Sequence, residues 1–220
     1  MANSYYPPGY FTFHAEGAST NPTTDSLHFP GTKGSGVTFG PGYDLKERAE
    51  SKVYIDMISI GVSKEDANII KKGVKKSGNK AKEFVDENKD KIKKLTKNQK
   101  IMLFKKIWGT YVSTAKRVYN DLPEVISEKD LSFLKKPDSE VRWKKTKWQD
   151  LDHRIIDIIV DLVYQGAYSE RRKEIKYAST KNDKNLLAEA IKNDKELFRM
   201  DKGRRRLPFL EGKEDGPKSF

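Results

Sequence analysis

Two carboxylates and one hydroxyl stand out near the start of the chain by the residues around them. Glu16 precedes Gly17 and follows Phe11, Phe13 and Ala15. Thr38 and Asp44 lie in Ser35-Gly-Val-Thr38-Phe-Gly40-Pro-Gly42-Tyr-Asp44-Leu. Glycines at 36, 40 and 42 permit sharp turns and a close approach of backbone to a ligand. A carboxyl in apolar company suits a proton donor. Asp44 stands directly before Leu45, where a helix is expected to begin, with Glu47 three residues on; it reads as that helix's N-cap, a setting that suits a charged carboxylate. Two carboxyls in unlike settings, with a hydroxyl near them, are the raw material of general acid–base chemistry. Read without further context, Asp44 is a capping residue, Glu16 a solvated helix end and Thr38 an ordinary strand residue.

The elements that must position these groups change character along the chain. Residues 1–44 are rich in glycine, proline, serine and aromatics, which predicts turns and short strand-like pieces at Tyr10–Phe13 and Val37–Phe39, or one or two helical turns ending at Gly17. From Leu45 onward the pattern is helical. Leu45, Ala49, Val53 and Met57 recur every fourth residue and stop at Ile60-Gly61. Ser63-Lys-Glu-Asp66 reads as a capping box before Ala67–Val74, and a Lys-rich helix runs through Phe84 and Val85. Thr96-Lys-Asn-Gln99 opens a longer helix with Phe104, Ile107, Tyr111, Ala115 and Val118 on one face, stopped by Pro123. Gln149 to Tyr164 carries apolar residues on most sides, as expected of a central buried helix. Shorter helices are expected at Arg171–Ala178 and Leu186–Ile191. The fold class is therefore α+β, mainly α, with a small Gly-rich β or loop lobe (about 10–75), a helical lobe (about 76–210) and tails at 1–9 and 211–220.

Glu-Gly followed by Ser-Gly-Val-Thr-x-Gly-x-Gly-Tyr-Asp-Leu resembles the catalytic segment of the pesticin-type toxin muramidases, bacterial relatives of the phage lysozymes. Trp148-Gln-Asp-Leu151 through Gln165-Gly166 is similar to the central helix of that fold, and Gly203-Arg-Arg-Arg206 with Leu207 to its Arg-rich C-terminal helix. The resemblance covers most of residues 10–210 and implies a lysozyme-like fold. It implies Glu16 as the general acid, Thr38 as a holder of the attacking water and Asp44, six residues after Thr38, as the second carboxylate. Asp25 is the rival: it has the nine-residue offset from Glu16 of ordinary phage lysozymes, yet lies 13 residues before Thr38, where their pattern has six and Thr32 stands here. Tyr43 stands where phage lysozymes carry histidine and is assigned, with Gln165 and Gly166, to substrate contact.

Composition narrows the alternatives. The 220 residues hold no cysteine, which excludes disulfides, cysteine nucleophiles and thiolate metal sites. The longest apolar stretch, Ile155 to Tyr164, is interrupted by Asp157 and Asp161 and is about half the ~20 residues a bilayer span needs, so no membrane insertion is expected. The first residues lack a basic and an apolar region, and no secretory signal is expected. A net charge of +12 favours polyanionic partners. Asp150, His153, Asp157 and Asp161 recur on one helix, but Arg154 and nearby lysines are the expected partners of these acids; no metal and no cofactor is expected. His14 and His28 lack the partners that a metal or a serine triad would require. Arg204, Arg205 and Arg206 read as a clamp on acidic residues.

The resulting expectation is a glycoside hydrolase, a lysozyme-type muramidase that cuts the β-1,4 bond between N-acetylmuramic acid and N-acetylglucosamine by inversion. It would be a monomer made in the cytoplasm, acting as an antibacterial toxin, bacteriocin or effector on the peptidoglycan of a target bacterium after delivery by a secretion system or uptake, with a cognate immunity protein as partner. The alternatives are a basic nucleic-acid-binding protein and a non-catalytic wall-binding module of the same fold. No helix-turn-helix, zinc-finger or RNA-recognition signature is present, and nucleic acid is not expected as a partner.

Overall fold

A computed structural model describes residues 9–16, 21–31, 34–134, 137–138 and 140–213. Expectations that fall on residues 1–8, Gly17, Thr32 and residues 214–220 lie outside the described residues. The chain is α+β and mainly α, with small antiparallel sheets. It forms two compact units: residues 16–109, and residues 9–15 with 110–213.

The first unit is built on three two-residue strands, β1 (Leu27–His28), β2 (Thr38–Phe39) and β3 (Tyr43–Asp44), paired antiparallel in chain order. Helix α2 (Glu50–Ser59) packs on α3 (Lys64–Ile70), and α4 (Asn79–Asn88) packs on β1. Ser63 caps α3 by accepting the Asp66 N–H at 3.0 Å, as the sequence suggests, although the helix begins at Lys64 rather than Ala67. The long α5 (Lys97–Asn120) starts at the expected Thr96–Gln99 stretch, where the structure forms a reciprocal cap: the Gln99 side chain accepts the Thr96 N–H (2.9 Å) and the Thr96 hydroxyl accepts the Gln99 N–H (3.2 Å). The division between units falls inside α5, not near residue 75, because α4 and the first part of α5 pack on the strands and their turn.

The other unit holds α1 (Tyr10–Ala15), a hairpin of β4 (Val125–Ser127) and β5 (Arg142–Lys144), and the helices α6 (His153–Tyr164), α7 (Lys173–Ser179), α8 (Lys184–Asn193), α9 (Lys195–Arg204) and α10 (Arg206–Leu210). Tyr10–Phe13 is helical, not a strand: four consecutive buried residues, Tyr10 to Phe13, leave no inside–outside alternation for a strand to use. Helix α6 is enclosed on nearly every side, as its sequence predicts, and α1, α8 and α10 pack on it. Among the described residues no helix is long and apolar enough to cross a membrane.

Candidate active site

In the three-stranded sheet His28 lies opposite Thr38, and Thr38 opposite Asp44; the neighbouring row is Leu27, Phe39 and Tyr43. Side chains alternate between the faces of a strand, so the two rows point to opposite sides. Leu27, Phe39 and Tyr43 are buried and anchor the sheet in the core. The other face therefore carries a polar row, His28–Thr38–Asp44, in which directly opposed Cβ atoms are about 4.5–5.5 Å apart. Thr38 is only 5% exposed, and its hydroxyl makes no hydrogen bond among the described residues. A nearly buried hydroxyl without a protein partner is uncommon and suits a bound water or substrate.

Two glycines let the row form. Gly40 takes a φ of +60°, and a Cβ there would come 2.7 Å from Leu103 Cδ2 on α5, so the turn between β2 and β3 lies against the helix. At Gly36 a Cβ would come 2.4 Å from the Asp44 carboxylate and 2.6 Å from Lys46 Cβ. The segment before β2 thus runs directly beside Asp44, and only glycine allows it.

Asp44 is not a helix cap. The Leu45 N–H bonds to the Val37 carbonyl at 2.9 Å and extends the β2–β3 ladder, which postpones α2 to Glu50, with Ala49 as its N-cap. Asp44 Oδ1 instead accepts the Lys46 N–H at 2.8 Å in a local turn. Oδ2 has no partner among the described residues, and the side chain is exposed on the polar face. The side chain is held by this turn, not by a helix dipole.

Glu16 is half-buried, directly after α1, and lies within electrostatic reach of His28. The His28 Nδ1 lies 3.3 Å from the Ser26 carbonyl and donates to it, which leaves Nε2 as the free ring nitrogen among the described residues. Burial lowers the His28 pKa below the usual value, against smaller upward pushes from the Ser26 bond and the Glu16 charge. His28 also lines a groove of about 650 Å³ with Leu27, Phe29, Lys82, Val85 and Ile92. Sequence reasoning sets His28 aside for want of partners; strand register, which composition and spacing do not encode, supplies them.

Asp25 is engaged elsewhere. Its carboxylate pairs at 2.7 Å with Lys100, whose side chain is only 7% exposed, and its backbone carbonyl accepts the Leu95 N–H. It ties the short helical turn at Pro22–Asp25 to α5. Tyr43 belongs to the core row, not the polar one. Its hydroxyl donates to Asp56 Oδ2 at 2.6 Å, the Arg48 guanidinium lies 4.0 Å over its ring, and the side chain is fully buried. Burial and the Asp56 bond push the phenol pKa up. Substrate contact through Tyr43 is corrected to a structural anchor, since no part of it reaches solvent.

Gln165 and Gly166 are in the other unit, at the end of α6. Gly166 has a φ of +67°; its N–H bonds to Val163 and that of Ala167 to Leu162, the Schellman pattern of a helix stop. Gln165 is exposed and accepts from the Arg206 guanidinium. Beneath it, fully buried Asp161 accepts from Thr12 Oγ1 (2.9 Å), Arg204 Nη2 (2.5 Å) and Arg206 Nε (2.8 Å). Of the acids of α6, Asp161 thus pairs with Arg204 and Arg206, while Asp157 accepts from the Gly9 N–H at 3.5 Å; Arg154 instead donates to the Phe209 carbonyl at 2.6 Å. His153 is exposed, and no three His, Asp or Glu side chains among the described residues are grouped to hold a metal.

A mainly helical α+β protein with a polar row on a small sheet is thus the class that fold and site define. The chain belongs to the family described as Domain of unknown function (DUF8812), whose model matches residues 9–206. A comparison with curated proteins finds no match.

Proposed function

We propose that the protein is a peptidoglycan hydrolase, an N-acetylmuramidase of lysozyme-like fold that cuts the β-1,4 bond between N-acetylmuramic acid and N-acetylglucosamine. The observation that carries this reading is the register of the small sheet, which sets Thr38 beside Asp44 on one face, with Glu16 within electrostatic reach of His28 in the same row. Glu16, Thr38 and Asp44 all belong to the unit of residues 16–109.

In this reading the Glu16 carboxyl gives its proton to the glycosidic oxygen as the C1–O4 bond breaks. A water held by Thr38 adds its oxygen to C1 from the opposite face and gives its proton to Asp44. Asp25 is the weaker candidate for the second carboxylate because Lys100 occupies it. The water between carboxylate and sugar implies inversion, for which the two carboxyl groups stand roughly 6.5–9.5 Å apart. The net charge of +12 would concentrate the enzyme on anionic wall polymers. As an antibacterial effector or bacteriocin it would act in the wall of a target cell and need an immunity protein in its producer.

The test is a peptidoglycan zymogram together with NMR of the first product. Clearing with the α-anomer formed first supports an inverting muramidase. Retention on the wall without clearing points to a binding module. No wall interaction, with a salt-sensitive shift of DNA, points to a nucleic-acid-binding protein. A β-anomer as first product, or a trapped glycosyl–Asp44 adduct, sinks inversion.

A further inference from the structure

His28 has a geometry that its usual readings do not explain. It is not a ligand, since no cluster of metal-binding side chains is present among the described residues. Nor is it a core histidine with both nitrogens satisfied: Nδ1 is committed to the Ser26 carbonyl, and Nε2 has no protein partner among the described residues. The sheet register puts it on the same face as Thr38, one strand over, just as Asp44 sits one strand over on the other side. Thr38, its own hydroxyl without a partner among the described residues, lies in the middle of the row. Three polar groups spaced by strand width thus each keep one atom available: His28 Nε2, the Thr38 hydroxyl and Asp44 Oδ2.

A water molecule that attacks carbon must have its two hydrogens held so that a lone pair faces the carbon. Two acceptors and one flexible hydroxyl can do this. Resting on the muramidase reading, we propose that His28 is a further catalytic residue: its Nε2 accepts one hydrogen of the attacking water while Asp44 Oδ2 accepts the hydrogen that is transferred and the Thr38 hydroxyl fixes the oxygen. The Ser26 carbonyl has a specific part in this. By accepting the Nδ1 proton it fixes the tautomer in which Nε2 carries the lone pair. Protonation of His28 would convert Nε2 from acceptor to donor and turn the water away.

The charged groups around the imidazole are few. Glu16 interacts with it electrostatically and Asp44 shares its sheet face. Lys82 and Asp86 on α4, and Lys89, Asp90 and Lys94 beyond it, line the groove that His28 borders; Lys82 is neutralised by Asp86 at 2.7 Å. Burial opposes protonation and keeps the ring neutral near pH 7.

Two variants test the role. His28→Leu removes the acceptor and preserves bulk; His28→Gln offers an acceptor oxygen that does not titrate. His28→Leu should lower kcat about 10–100-fold with KM changed less than about 2-fold and the melting curve unaltered. His28→Gln should recover most of that loss, and its pH–activity profile should hold to lower pH than the wild type. Unchanged kcat in a folded His28→Leu, or a loss confined to KM, overturns the role. So does an acid limb in His28→Gln that matches the wild type. NMR titration of the His28 ring supplies a readout without turnover: Nδ1–H should be the neutral tautomer, and Glu16→Gln should lower the ring's pKa. A wild type that never cuts peptidoglycan defeats the parent reading, whereas an active wild type matched by His28→Leu defeats only this one.

Discussion

The polar row of the small sheet and the Asp161 cluster of the helical unit are both built from polar side chains, and they are built in opposite ways. Asp161 is fully buried, and its oxygens are taken by Thr12, Arg204 and Arg206, with Gln165 tied to the same arginine. Both carboxylate oxygens of Asp161 are taken within the protein, so they hold the helices α1, α6, α9 and α10 together and are not offered to a substrate, while Arg206 Nη1 is buried without a hydrogen-bond partner among the described residues. The sheet row is the reverse. Thr38, His28 and Asp44 each keep an atom without a partner among the described residues, on a scaffold fixed from behind by Leu27, Phe39 and Tyr43. A buried acid whose oxygens are all taken marks structure, and polar atoms held ready along one sheet face suit chemistry.

The strongest way to break this contrast is Glu16→Gln. Loss of the acid proton should reduce wall hydrolysis by about 10²–10⁴-fold, with thermal unfolding unchanged; turbidity clearing and circular dichroism on the same sample decide it, and a folded, fully active variant removes Glu16 from the mechanism. Asp161→Ala should do the opposite. It leaves two buried guanidinium groups without their carboxylate and should cost about 3–5 kcal/mol in denaturant unfolding, and a stability within 1 kcal/mol of wild type (roughly one hydrogen bond's worth) would show that the cluster is not what holds the helices.

Asp44 and Asp25 sharpen the contrast inside one unit. Asp44→Asn should lose most of the activity yet keep its stability, since the amide oxygen still accepts the Lys46 N–H. Asp25→Asn should keep most of the activity but cost about 1–3 kcal/mol, because Lys100 loses its charged partner. Activity lost only in the Asp25 variant would exchange their roles.

The effect that pH reads out concerns Asp157, the neighbour of Asp161 on α6. Burial pushes its pKa up to about 7, with a Gly9 N–H at 3.5 Å as its hydrogen-bond donor. The folded state thus holds this proton after the unfolded chain has released it. The associated stability is complete below about pH 4 and is lost as pH rises to about 7, by at most ~1.4 kcal/mol per pH unit. The protein should melt a few degrees lower at pH 8 than at pH 5, and Asp157→Asn should flatten that dependence; an equal slope in the variant would show that other groups carry it.

Local signals were legible where a helix start is written in a few adjacent residues. The Ser63 and Thr96–Gln99 caps and the buried character of α6 follow from side-chain chemistry within a turn or two. The β4–β5 hairpin and α9 were not legible: the strands are three residues long, and α9 carries few buried side chains, Leu197, Asp201 and Arg204, so neither leaves a periodic trace. The start of α2 was misplaced because Leu45 has both a helical period and a ladder bond to Val37, and the sheet claims it.

By itself the sequence determined the mainly helical class, the absence of thiol chemistry, the glycines that the Gly36–Asp44 approach demands, and the motif in which Glu16, Thr38 and Asp44 stand. Those depend on residue type and on neighbours a few positions away. Tertiary structure alone decided that Tyr43 faces the core, that Asp25 is consumed by Lys100, that Asp161 is the arginines' partner, and that His28 stands beside Thr38. Each of these is set by strand register or by a contact between segments distant in the chain, where a shift of one residue sends a side chain to the opposite face and no local pattern records which way it points.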